Sequence, residues 1–122
     1  MDIYREEILD HFKNPRNYGQ MKQARVKVRQ SNASCGDVME MSLKIEGGRI
    51  KEVRFQGEGC AISIAAGSML TEMVKGLKVS EVEKLEGKDM IKRLGIKISS
   101  GRKKCATLGL EVCQKAIKKT KK

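Results

Sequence analysis

The residues best equipped for chemistry in this chain are three cysteines set far apart. Cys35 opens Cys-Gly-Asp, Cys60 closes Gly-Glu-Gly-Cys, and Cys105 follows Arg-Lys-Lys. As thiolates they are soft metal ligands and good nucleophiles. There is no Cys-x-x-Cys pair, so spacing alone does not build a zinc knuckle. Asp37 lies on the same strand face as Cys35 and offers a hard oxygen donor. Three thiolates and one carboxylate make a four-donor set suited to zinc or to an iron–sulfur cluster. Cys113 is read differently, because it shares a helical seam with Ala106 and Leu110 and belongs to packing. His11, the only histidine, reads as a polar residue near the end of the first helix and not as a ligand. Met69 and Met73 read as core rather than as a cofactor box.

A hairpin must bring two of these donors together. Met39, Met41, Leu43 and Ile45 alternate with polar residues, as do Val53 and Phe55 further on, and Gly47-Gly48 marks the reversal. A two-residue loop would pair Leu43 with Glu52 and mismatch the apolar faces. A three-residue loop of Gly47, Gly48 and Arg49 pairs Leu43 with Val53 and Met41 with Phe55. The same register sets Met39 opposite Gly57 and Asp37 opposite Gly59. Cys35 and Cys60 then arrive together at the open end of the hairpin.

The remaining elements follow from periodicity. Residues 2–13 read as a helix with Asp2 as cap and Tyr4, Ile8, Leu9 and Phe12 on its stripe, ended by Pro15. Residues 25–31 read as a short strand with Val26 and Val28 on one face. After Cys60, Ile62, Ala65, Ala66, Met69, Leu70, Met73, Val74 and Leu77 form a broad helical stripe. Ser80-Glu81-Val82-Glu83 resembles a capping box for a short helix that stops at Gly87. Asp89 to Leu94 form another turn or two before Gly95, and a last helix starts near Lys103. The fold class is α+β: a small antiparallel three-stranded sheet, helices packed on one face, and an N-terminal helix. Cys60 and Cys105 both sit near helix starts, where free N–H groups favour thiolate. Gly57 and Gly59 allow the unusual backbone angles and close approach such a junction needs, Gly36 beside Cys35 is a supporting residue, and Lys103 and Lys104 add positive charge.

At 122 residues the chain reads as one domain over 1–122, with a basic, frayed tail at 118–122. The start at Met1 carries no apolar signal region, and no stretch approaches a membrane span, which points to the cytoplasm and no membrane partner. In that compartment cysteines serve as thiols or ligands rather than disulfides. The net charge of +11 raises nucleic acid as a partner. The basic residues are interleaved with acids, however, and Tyr4, Phe12, Tyr18 and Phe55 are the only aromatics, so no stacking platform forms. The charge reads as a solvated face and a frayed tail, with docking to an acidic protein partner as a third use.

Four motifs in order resemble the U-type iron–sulfur cluster assembly scaffolds (IscU, SufU and the N-terminal part of NifU). They are Asp10-His11-Phe12-Lys13-Asn14-Pro15-Arg16-Asn17, Ser34-Cys35-Gly36-Asp37, Gly57-Glu58-Gly59-Cys60-Ala61-Ile62-Ser63 with Ser68-Met69-Leu70-Thr71-Glu72, and Lys104-Cys105-Ala106-Thr107-Leu108. The resemblance implies that Cys35, Cys60 and Cys105, assisted by Asp37, hold iron in a nascent [2Fe–2S] cluster, or a zinc ion. It implies a cysteine desulfurase that supplies persulfide sulfur, with Cys105 as acceptor, and acceptor apoproteins that receive the cluster. A cluster shared between two chains, as a homodimer of the loaded form, stays open. Zinc-dependent sulfur acceptance without a cluster is the alternative. The housekeeping branch has a histidine where Lys104 stands, and a Leu-Pro-Pro-Val-Lys segment where this chain reads Ser99-Ser100-Gly101-Arg102-Lys103. The SufU branch has an insertion for which residues 61–104 leave no room.

Overall fold

Alternation of apolar residues along the central hairpin decides which way the sheet faces. In the computed structural model, which describes residues 2–32 and 36–121, three antiparallel strands lie in chain order: β1 (Val26–Asn32), β2 (Asp37–Glu46) and β3 (Arg49–Glu58). Leu43 pairs with Val53, Met41 with Phe55 and Met39 with Gly57. One face therefore collects Met39, Met41, Leu43, Val53 and Phe55, all buried. Each such side chain contributes ~1.5–3 kcal/mol by leaving water. Among the described residues, five α-helices accompany the sheet: α1 (Ile3–Lys13), α2 (Ala61–Val74), α3 (Val79–Glu83), α4 (Gly87–Leu94) and α5 (Lys103–Thr120), the last preceded by a 3-10 turn at Ser100–Arg102. α2 and α5 cover the apolar sheet face, which gives the expected α+β arrangement.

The reversal is built differently from expectation. Glu46 pairs with Arg49, so the loop is the two residues Gly47 and Gly48. Both have positive φ, +60° and +74°, as a tight hairpin turn of the right twist demands. The apolar faces still match because the register shifts between Lys44 and Ile45. A β-bulge absorbs the extra residue that the sequence reading assigned to the loop.

α2 and α5 approach closely because glycine faces glycine. A Cβ on Gly109 would lie 3.3 Å from the Gly67 Cα, with Met39 Sδ at 3.4 Å. This crossing lets both helices sit on Met39 and Phe55 and directs both N-termini to the site end of the sheet. Cys113 is buried in the same core as Ala106, Leu110 and Ile117, as its seam implied, and burial pushes its thiol up to about 12.

Two short helices begin elsewhere than expected. α3 is capped at Lys78, whose backbone N–H donates to Glu81 Oε1 at 3.0 Å, and it ends at Glu83 rather than at Gly87. Gly87 instead opens α4, where the Glu86 N–H donates to Asp89 Oδ2 at 2.8 Å. Gly95 closes α4 in the left-handed region at φ +74°. Among the described residues, no helix is long and apolar enough to cross a membrane.

α1 starts on Asp2, whose Oδ1 accepts from Tyr4 N at 3.0 Å, and ends at Asn14 before Pro15. Its expected stripe is mostly outside: Leu9 is 49% and Phe12 40% exposed. α1 packs mainly on α2, and α4 reaches it through the Arg93–Glu7 ion pair at 2.6 Å and through Gly95 under the Tyr4 ring. The contact buries only Ile8 and His11. The His11 Nδ1 lies 2.7 Å from Ser68 Oγ, while Nε2 lies 3.7 Å from Glu72 Oε1. Ser68 Oγ already accepts from Arg16 N at 2.8 Å, so its own proton is available to Nδ1. Asn17 Nδ2 donates to Thr71 Oγ1, Phe55 N to Asn17 O, and Gly19 N to Phe55 O. The segment after Pro15 is thus a strap binding α1, α2 and the free side of β3.

Burial holds the His11 imidazole below its ordinary 6.5, reinforced by Arg16 and Arg93 and only partly opposed by Glu72 and Glu7. A group whose folded pKa is depressed stabilises the fold above its unfolded pKa and loses that contribution as pH falls. The urea midpoint of the metal-free protein is therefore expected to fall between about pH 7 and pH 5. His11→Gln should flatten that dependence. An equally steep dependence in the variant would assign the effect to other groups.

Candidate metal and sulfur site

The site is assembled where three elements start. Asp37 is the first residue of β2, Cys60 is the N-cap of α2, and Cys105 lies in the first turn of α5. One ligand atom from each, a carboxylate oxygen and two sulfurs, lies within 4.8 Å of the others. Asp37 and Cys105 are buried, and Cys60 is partly so. Cys35, placed by the hairpin register at the same end, lies outside the described residues. Gly36, beside it, has φ +71°, a conformation that disfavours any side chain. Lys104 is exposed, its neighbour Cys105 turned inward.

Asp37 has a second task. Its Oδ1 accepts a hydrogen bond from the Cys60 backbone N–H at 3.2 Å, so the carboxylate ties the start of the sheet to the start of α2. Gly59 allows this closeness: a Cβ there would meet Ser63 Oγ at 2.3 Å and Asp37 Oδ1 at 2.5 Å. Gly57 is constrained in the same manner by the backbone of β2, with Val38 O at 2.1 Å from such an atom. Both glycines are present for close approach rather than for unusual angles, since neither has positive φ. The close approach expected at this junction is there, and the unusual angles are not.

Partial burial pushes the Cys60 thiol up, but its neighbours outweigh burial and hold it below the ordinary 9.0. They are the N–H of Ser63, the Ser63 hydroxyl, the Cys105 sulfur and the N–H of Ile62. The first turn of α2 thus solvates a thiolate, as expected at a helix N-terminus. The Ser63 hydroxyl stands 3.0 Å from the Cys60 carbonyl oxygen and can turn its proton toward the sulfur instead. Ser63 stands in the Gly57–Ser63 motif, where the sequence alone assigns it no role. The available signal was its place in the first turn after an N-cap, where a short hydroxyl side chain folds back on the cap.

Two soft sulfurs and one hard oxygen in a partly enclosed corner fit a thiophilic cation with mixed ligands, such as zinc or iron. The sequence model described as "NifU-like N terminal domain" matches residues 3–122. The chain belongs to the NifU-like N-terminal domain family. It is 42% identical over 117 residues to the iron-sulfur cluster assembly scaffold protein IscU of Aquifex aeolicus, covering 94% of this chain and 74% of the relative. It is 34% identical over 134 aligned positions to the zinc-dependent sulfurtransferase SufU of Bacillus subtilis, covering 96% and 90%. The second alignment is longer than the chain itself, so that relative carries residues this family member lacks. A crystal structure of an N-terminal NifU-like protein from Brucella abortus shares the fold with a TM-score of 0.81. That match has 18% identity and covers 98% of this chain and 94% of the other.

The thiol environments predict an order of reactivity. In the reduced, metal-free protein, iodoacetamide at neutral pH should modify Cys60 well before Cys113, as read by peptide mass spectrometry. Ser63→Ala should move the pH midpoint of Cys60 modification upward. An unchanged midpoint would remove the hydroxyl from the account.

Proposed function

We propose that this protein is a scaffold on which a labile [2Fe–2S] cluster is assembled and then passed to acceptor apoproteins. The observation that carries the reading is the convergence of Asp37, Cys60 and Cys105 within 4.8 Å at one end of the sheet. The likeness to the Aquifex scaffold supports it. Cys35 is proposed as the fourth donor. A cysteine desulfurase would deliver sulfur as a persulfide. The Cys105 thiolate attacks the outer sulfur of that persulfide, the S–S bond breaks, and the desulfurase thiolate leaves. Sulfane sulfur must gain two electrons to become sulfide, so a reductant takes part in building the cluster. The protein on this reading positions cargo instead of turning over a small substrate, and it works in the cytoplasm.

Asp37 is central to release. A carboxylate binds iron less tightly than a thiolate would, and this one is shared with the N–H of Cys60. It would open a path by which water and incoming ligands exchange at the iron, a path that a methyl group does not offer. Asp37→Ala is expected to lengthen the lifetime of the reconstituted cluster, followed by its visible absorbance under air. The same change strips a partner from a helix N-terminus and should cost the apo-protein about 0.5–1.5 kcal/mol. A cluster lost as fast as in wild type, or faster, would overturn this role.

A second reading is favoured by the likeness to SufU: a zinc-holding sulfur acceptor that activates a desulfurase and carries no cluster. Asp37, Cys60 and Cys105, with Cys35, would hold the ion, and bound zinc would keep the thiols deprotonated. Anaerobic purification, with iron, zinc and acid-labile sulfide quantified before and after reconstitution, separates the two. Stoichiometric iron and sulfide with a [2Fe–2S] spectrum supports the scaffold; zinc that resists iron and sulfide supports the acceptor. Both readings require Cys105→Ser to lose sulfur acceptance from a desulfurase in a persulfide-labelling assay.

A further inference from the structure

We propose that the outer edge of β1 is a docking strip for an extended acidic peptide segment of a partner protein, added to the sheet as a fourth strand. The two edges of the sheet are treated differently. β3 is strapped at two places: Phe55 N donates to Asn17 O and Gly19 N to Phe55 O, while Ile50 N donates to Leu77 O and Gly76 N to Ile50 O. β1 is the other edge strand. Among the described residues, no backbone hydrogen bond reaches residues 26–31 from outside the sheet, and at the strand's end Gly36 N turns locally onto Asn32 O. An uncovered edge is a row of donors and acceptors ready to pair with another strand.

Charge selects the occupant. Successive side chains of an added strand point to opposite faces of the sheet. On the solvent face they would meet Lys27 and Arg29. On the other face they would meet Lys115, Lys118 and Lys119 of α5, which rim a cleft of about 270 Å³ with Val28 in its lining. Arg29, Lys118 and Lys119 have no carboxylate within salt-bridge distance among the described residues, and Lys27 reaches only Glu40, at 3.7 Å. Glu111, the only acidic residue of α5, is occupied by Gln30 Nε2 at 3.0 Å, and Lys115 donates to the same amide's oxygen.

A strand laid here therefore finds cations on both faces and one apolar contact at Val28. An acidic segment with a β-branched residue opposite Val28 matches all three features. A second copy of this chain would set Lys27 and Arg29 against themselves. The strip also has a direction, since Asn32 at its end pairs with Asp37 of the site. A docked segment would end beside the cysteines whichever cargo they carry, so this inference stands apart from the cluster-or-zinc question.

The test uses the full chain and a fluorescently labelled, end-blocked peptide of Glu residues around a single central Val, which presents carboxylates on both faces of the added strand. A second peptide of equal charge has its central Val replaced by Pro, which cannot continue a strand ladder. Hydrogen exchange should slow at residues 26–32 when the first peptide binds, and affinity should fall with salt. The proline peptide, and the Lys118→Gln/Lys119→Gln double variant with the first peptide, should each bind about tenfold more weakly. Equal binding of both peptides, protection elsewhere in the chain, or no binding of the first peptide would overturn the proposal. So would tighter binding of single-stranded oligothymidine with the same protection, which would make the strip a nucleic-acid surface. A dimer by sedimentation with residues 26–32 protected in the absence of peptide would overturn it in favour of self-pairing.

Discussion

Pairing of Leu43 with Val53 and of Met41 with Phe55 is the constraint from which the rest of the architecture follows. A slip of one residue would turn every one of these side chains to solvent. Held in place, they make an apolar face that α2 and α5 must cover, and they align the start of β2 with the end of β3. Asp37 thereby comes to the first turn of α2, where it bonds the Cys60 N–H. The turn itself is secondary to this constraint. Two glycines with positive φ and a bulge produce the same facing as a longer loop would have done.

Helix packing adds what the sheet cannot. Gly67 and Gly109 let α2 and α5 cross closely above Met39, and the crossing places two helix N-termini side by side. Each carries a cysteine, so the N–H groups that stabilise a thiolate are concentrated where the sulfurs meet. The carboxylate in the same corner is both a potential ligand and a structural tie. Chemistry and architecture are therefore coupled at Asp37. Gly59 protects that coupling, because any side chain there would displace Asp37 and Ser63 together.

Local features of the sequence proved legible where a short-range period or cap controlled them. Asp2 caps α1, Pro15 follows its end, and the seam of Ala106, Leu110, Cys113 and Ile117 is the buried side of α5. The apolar stripe of α1 misled, because periodicity reports which residues could be buried and not how wide the partner surface is. Leu9 and Phe12 remain exposed while His11 goes inside. Its hydrogen-bond partner Ser68 lies on α2, and no local pattern announces a pairing over such a separation. The cap of α3 fell at Lys78 rather than Ser80 because the Glu81 carboxylate can satisfy a backbone N–H whatever side chain the cap residue bears.

By itself, the sequence determined the donor types, the hairpin register from Met39 to Lys44 and the order of helices, since these depend on side-chain chemistry and on periods of two and 3.6 residues. Resemblance to known scaffolds then implied that Cys105 joins Cys60 and Asp37. Only the tertiary structure decided how closely these groups meet, that Asp37 also ties α2 to the sheet, and that one sheet edge is strapped while the other is bare. Those outcomes depend on how helices pack over the sheet. That packing is set by small-residue contacts such as Gly67 on Gly109, between positions too distant in the chain for any local pattern to link them.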